Sequence, residues 1–398
     1  MMLGVTSSED RDALLLRARE LVPLLRARAE HTEQTGRLSD DVVDALRAGG
    51  FFRLAMPRRF GGLEADARTL IEVCAQLARG CGSSSWIVNI VAGASFVAAR
   101  FSDQAREEIW GADPGAVVCA TLPPTGTART TEEGLLVEGS WHFASGIHHA
   151  RWVIAGVQVL DQGGEPVGVE LALLPVGELK VQLTWQVAGM KGTGSDSYTA
   201  AGVLVPHHRT LSMAELFAGG HTSSRPEEPR YTAALSGYLA LPLLGPILGL
   251  AQAALELTRE RLSKGKPLSV SLYPSAAAAP SVQLAMAEAA SLIDTATLHA
   301  LRGATDLDAA VAEARVLDLP ARARILMDTA VAARRAREAV DLLLTVGGAS
   351  SFAEANPLQR IWRDLETASR HALASDTLNR EVYGRALLGI EEPISLMV

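Results

Sequence analysis

Cysteine is scarce. The 398 residues include three, Cys74, Cys81 and Cys119. They form no CxxC pair, which excludes a disulfide scaffold and a structural zinc site and points to a reduced, cytoplasmic protein. Positive charge is also short: 37 Lys plus Arg against 45 Asp plus Glu leave a net charge of −8. That balance excludes nucleic acid as the main partner, since phosphate binding favours a basic chain. No secretory leader is expected, because Glu9, Asp10, Arg11 and Asp12 bring charge in at once. A GxxxxGK(S/T) phosphate loop, a GxGxxG after a strand, a GxSxG elbow and an HExxH helix are all missing. The neighbours His148 and His149, and His207 and His208, make poor metal chelates, because adjacent strand residues point to opposite faces.

What is present is apolar. Hydrophobic residues make up 48% and charged residues 21%, enough for a large core and two or three domains. Residues Thr232 to Leu255 carry no charge. By length they could cross a bilayer. However, Gly237, Pro242, Gly245, Pro246 and Gly249 interrupt the run. It reads instead as a helix covered on all sides within a bundle or a subunit interface, with no membrane involved.

The order along the chain is helical, then β, then helical. Leu14, Leu15, Leu21, Leu24 and Leu25 recur at helical spacing, and Ser39 offers a cap before Val42 and Val43. Further helices are expected over 66–79 and 83–100. From 116 to 212 the chain turns to Val, Thr and Gly in short alternating runs, an antiparallel β domain of barrel or sandwich type. A polar linker follows over 213–230, with Gly219, Gly220, Ser223 and Ser224. Residues 231–398 are Ala-, Leu- and Arg-rich and read as a helical bundle, opposite an N-terminal helical domain over 1–115. The fold class is α+β, mostly α.

Three segments carry chemistry. Gly139, Trp141, Phe143, Ser145 and Gly146, followed by Trp152, alternate aromatics into a Ser-Gly turn. This is an ordinary hairpin or a place where the Ser145 hydroxyl meets a ligand. Arg261, Lys264, Gly265 and Lys266 close a helix, which suits a plain cap or a phosphate. Arg360, Trp362, Arg363 and Asp364 precede His371 by helical spacing, placing Asp364 and His371 on one helix face. Near a redox cofactor a histidine there could act as a base.

In order and spacing these segments resemble the acyl-CoA dehydrogenase superfamily over about residues 15 to 390. Met56, Pro57, Phe60, Gly61 and Gly62 are similar to its P-x-x-(Y/F)-G-G turn. Gly139 to Trp152 resembles its flavin-facing stretch, and Gly189, Met190, Lys191, Gly192 and Thr193 its β-domain end. Arg261 with Gly265 resembles R-x-x-F-G, with Lys264 in place of the phenylalanine. The dehydrogenases place a glutamate base where this chain has Ala372. The run Leu358 to Asp364 with His371 is instead similar to the flavin-dependent monooxygenase branch.

That resemblance implies an oxygenase component of a two-component system. Reduced FMN or FAD would come from a separate flavin reductase, and dioxygen would form a C4a-hydroperoxyflavin that oxygenates a small organic substrate. Ser145 would face flavin N5 and O4. His371 would orient or deprotonate substrate, or assist the peroxide. Trp86, Thr121, Gly146 and Thr193 would line the flavin pocket. Gly347 and Gly348 would allow close backbone approach, and Arg261 would meet flavin phosphate from a neighbouring subunit of a homotetramer. Aromatic hydroxylases of the branch often carry a second histidine where this chain has Ala94. Three chemistries therefore stay open: hydroxylation of an aromatic or polyketide-like carbon, N-oxygenation of an amine, as in the amino-sugar nitrososynthases of antibiotic biosynthesis, and oxidation of sulfur. An acyl-CoA dehydrogenase-type FAD enzyme and a non-catalytic oligomer are the alternatives.

Overall fold

The computed structural model describes residues 6–217, 228–232 and 235–397. Residues 218–227 of the expected linker, and 233 and 234 of the uncharged run, lie outside the described residues. Five helices lead: α1 (Ser8–Thr35), α2 (Asp40–Ala48), α3 (Ala67–Ala78), α4 (Gly82–Ala98) and α5 (Asp103–Trp110). Seven strands follow: β1 (Val118–Thr130), β2 (Gly134–Ala144), β3 (Trp152–Leu160), β4 (Pro166–Pro175), β5 (Lys180–Gln182), β6 (Asp196–Pro206) and β7 (Thr210–Ser212). Then come α6 (Met213–Phe217), α7 (Leu235–Ala240), α8 (Leu244–Leu262), α9 (Pro280–Ala312), α10 (Leu319–Gly347), α11 (Pro357–Ala368) and α12 (Asp376–Leu387).

The helix boundaries have local causes. The Ser7 hydroxyl accepts from the Asp10 N–H and starts α1, and Gly36 in the left-handed region ends it. Ser39 precedes α2 as expected but makes no side-chain cap. Its hydroxyl goes to Asp41 instead. Asp66 caps α3 through the Thr69 N–H at 2.8 Å and also takes the Thr6 N–H at 2.9 Å.

The uncharged run becomes α7, a short 3-10 turn at Pro242, and α8. From Leu235 to Leu262 it is long and apolar enough to cross a membrane, yet 83% of its apolar window is buried within the fold. Glycine explains the tightness. A Cβ at Gly249 would lie 2.1 Å from the Ala75 carbonyl of α3, so α8 and α3 touch backbone to backbone.

The strands form one sheet in the order β5-β6-β2-β1-β3-β4-β7. Pairing is antiparallel as expected except between β1 and β3, which run parallel. Alternation sorts the two faces. On β3 and β4, Ile154, Leu171 and Leu173 join the large core shared with the helices. Val153, Ala155, Ala172 and Leu174 join a second core on the other face. In that second core Trp141 stacks on Tyr198 with ring centres 5.2 Å apart and donates to the Gly156 carbonyl at 2.8 Å.

Candidate active site

Four elements deliver side chains to one place. Trp86 lies in the second turn of α4, and its indole N–H donates to Ser145 Oγ at 3.3 Å. Ser145 directly follows β2, with Gly146 after it in the left-handed region. Ser145 Oγ lies 2.7 Å from Ser195 Oγ, which lies 2.7 Å from Thr193 Oγ1. Thr193 Oγ1 donates to the Met190 carbonyl at 2.8 Å, and the Gly146 N–H donates to the Thr193 carbonyl at 3.0 Å. The His371 ring meets Trp86 edge-on, with centres 5.7 Å apart.

The expected helical placement of His371 is corrected. Helix α11 stops at Ala368, and His371 caps the following 3-10 turn, its Nδ1 accepting from the Leu373 N–H at 3.3 Å. With Nδ1 engaged, the neutral ring carries its proton on Nε2. Removal from water lowers its pKa from 6.5 to about 4, so the ring is neutral at pH 7. It is therefore a hydrogen-bond donor through Nε2 and not a base titrating near neutrality.

The turn holding Thr193 and Ser195 is clamped from α11. Asp364, 7% exposed, accepts the Met190 N–H at 2.5 Å, and burial raises its carboxyl to about 6. Met190 itself sits at φ +57°, and its carbonyl also takes the Trp185 indole N–H at 2.9 Å. A Cβ at Gly189 would lie 2.0 Å from the Arg363 carbonyl, so glycine is required at this crossing. Arg363 reaches Glu33 of α1 at 2.6 Å.

Other predicted residues lie elsewhere. Thr121, on β1, is buried and hydrogen-bonds the Tyr198 hydroxyl under the sheet. Arg261 Nη2, at the end of α8, donates to the Gly347 carbonyl at 2.9 Å and to Ser350 Oγ at 2.6 Å. Gly348 follows at φ +62°. The predicted set thus divides into a hydroxyl–indole–imidazole cluster and an arginine–glycine corner, with Thr121 in neither. Ala94 is buried in α4. His148 pairs with Asp196 at 2.6 Å and His208 with Glu108 at 2.8 Å. Sequence reasoning misses Ser195 and Asp364 as a clamp. Phe143 is 71% exposed, and its ring meets Trp185 edge-on at 5.9 Å. Phe143 belongs to the aromatic alternation read from the sequence, two residues before Ser145.

Known proteins match this chain in sequence and in fold. The acyl-CoA dehydrogenase N-terminal domain model matches residues 8–110, and the C-terminal domain model matches 243–376. The oxygenase subunit HsaA of a flavin-dependent monooxygenase from Mycobacterium tuberculosis is 33% identical over 97% of this chain and 98% of its own. The chain belongs to the flavin-dependent monooxygenases of the acyl-CoA dehydrogenase superfamily. XiaF from Streptomyces sp., solved with FADH2 and glycerol, superimposes with a TM-score of 0.93 at 34% identity over 98% of both chains. The oxygenase component of a FADH2-dependent resorcinol hydroxylase from Rhizobium sp. is 29% identical over 95% of this chain and 94% of its own. This monooxygenase is an oxygenase component that uses reduced flavin, supplied by a separate reductase, and dioxygen.

Proposed function

We propose that the monooxygenase hydroxylates an aromatic ring, with the flavin's reactive edge against Ser145. The observation that carries this reading is the convergence of Trp86, Ser145, Thr193, Ser195 and His371 from four elements onto one polar cluster. The residues suit a flavin: hydroxyls for its polar edge, and the open Phe143 face for a flat ring. Bound reduced flavin supplies the electrons that activate dioxygen. The chain's own groups do the rest. Trp86 and Gly146 shape the wall, and Thr121 stiffens the sheet beneath through Tyr198. His371 offers its Nε2 proton to a substrate oxygen and orients it. Arg261, with Gly347 and Gly348, would hold the phosphate end of a flavin from a neighbouring subunit, and the assembly is a homotetramer. FADH2 in the XiaF structure and in the resorcinol hydroxylase name favours FAD over FMN. An aromatic substrate accords with the resorcinol and p-hydroxyphenylacetate hydroxylases among the relatives.

The test pairs the protein with a flavin reductase, NADH and either FAD or FMN, and screens phenols and indoles under labelled dioxygen. Mass spectrometry should find one labelled oxygen in an aromatic product, faster with FAD. Release of peroxide alone across the aromatic panel, with an amine oxygenated instead, would overturn the aromatic reading.

A further inference from the structure

The donor sense of the hydroxyl chain can be assigned without seeing a hydrogen atom. A carbonyl oxygen only accepts, so the Thr193 hydroxyl proton is committed to Met190 at 2.8 Å. Thr193 Oγ1 must then accept from Ser195, whose single proton is spent. Ser195 must in turn accept from Ser145. Ser145 receives the Trp86 N–H. The chain therefore runs one way, from Trp86 through Ser145, Ser195 and Thr193 to the Met190 carbonyl. Its end is fixed, because Asp364 holds the Met190 N–H and Trp185 also donates to the same carbonyl. Ser145 is left with a lone pair and no free proton.

From this polarity we infer that Ser195 and Thr193 make the site select reduced over oxidised flavin. The inference rests on the reading that Ser145 faces flavin N5. Reduced flavin carries a hydrogen on N5, which can donate to the free lone pair. Oxidised flavin presents a lone pair there, and two acceptors face each other. To greet oxidised flavin, three hydroxyls must turn together and Thr193 must release Met190. The oxygenase therefore holds the flavin it receives from the reductase and lets the spent flavin go, which suits a cofactor that is exchanged in every cycle.

The test measures dissociation constants for FADH2 under anaerobic conditions and for FAD in air, for the wild type and for three variants. In Ser195→Ala the Ser145 proton loses its acceptor and becomes free to turn to N5. The preference for reduced flavin should fall about fivefold, the scale of one neutral hydrogen bond. The two-electron potential of the bound flavin should fall by about 20 mV in step. Thr193→Val strips Ser195 of its acceptor, lets the chain reverse, and should shift the ratio the same way. It carries the test if Ser195→Ala does not fold. Ser145→Ala should weaken the binding of reduced flavin. If Ser145→Ala shifts binding but neither relay variant moves the ratio, the polarity inference is overturned and the flavin placement stands. If Ser145→Ala leaves both constants unchanged, the placement fails and takes the inference with it.

Discussion

Replacing Asp364 with asparagine should change how stability depends on pH, by an amount the structure sets. The carboxyl is buried, and burial is the largest influence on it, raising it from 3.8 to about 6. The Met190 N–H, Arg360 and Arg363 pull the other way, and Glu33 adds to the rise. A folded-state value above the unfolded one means that folding favours the protonated form. The contribution is full below pH 3.8 and is lost as the pH rises through about 6. Integrated from about pH 7.5 down to about pH 4.5, protonation returns about 2 kcal/mol. Asparagine does not titrate. The stability of wild type relative to Asp364→Asn should therefore rise by about 2 kcal/mol between those pH values. Groups common to both proteins cancel in that difference, including Asp308, whose buried carboxyl is also raised to about 6. Urea unfolding at fixed protein concentration and temperature gives the numbers, with equal m-values as a check that the same surface unfolds. A difference that stays constant with pH, or grows in favour of the variant on acidification, would refute the reasoning.

Three further outcomes follow from the packing and the site. His371→Ala should fold normally and release more hydrogen peroxide per reduced flavin consumed, because a donor that orients substrate is gone; wild-type coupling would remove His371 from the site. Arg261→Ala should weaken reduced-flavin binding by about tenfold or more, the scale of a charge-assisted contact. Unchanged affinity, by anaerobic titration, would detach the Arg261 and Gly347 corner from the cofactor. Gly249→Val should destabilise the fold by about 3 kcal/mol, since even a Cβ would lie 2.1 Å from the Ala75 carbonyl. A melting temperature equal to wild type would show that α3 and α8 can separate freely.

Local signals made much of this fold legible. Leucine spacing gave α1, and paired glycines marked the ends of helices and the turn after Met56. Alternation located β2, β3, β4 and β6, but it has the same period in parallel and antiparallel pairs, so the parallel β1–β3 pairing was not readable. His371 was misplaced for a related reason. Helical spacing continues from Asp364, and no proline or glycine between Arg363 and Ala374 announces that α11 stops at Ala368. The cluster's residue types were visible at Trp86, Ser145 and Thr193, but Ser195 was not, because its meaning depends on pairing across the sheet. Strands β2 and β6 are antiparallel, with Ala144 opposite Asp196 at the end of the ladder. One step beyond on each strand stand Ser145 and Ser195, so the register that closes the sheet also brings the two hydroxyls to 2.7 Å. The ladder shifts between Trp141 and Ala144, and Phe143 there sits at φ +64°. Without that irregularity Ser145 would fall in a different phase relative to β6, since a one-residue slip turns a side chain to the opposite face. The polarity of the site therefore depends on a sheet irregularity and on a carboxylate from α11, two long-range features that no local pattern encodes.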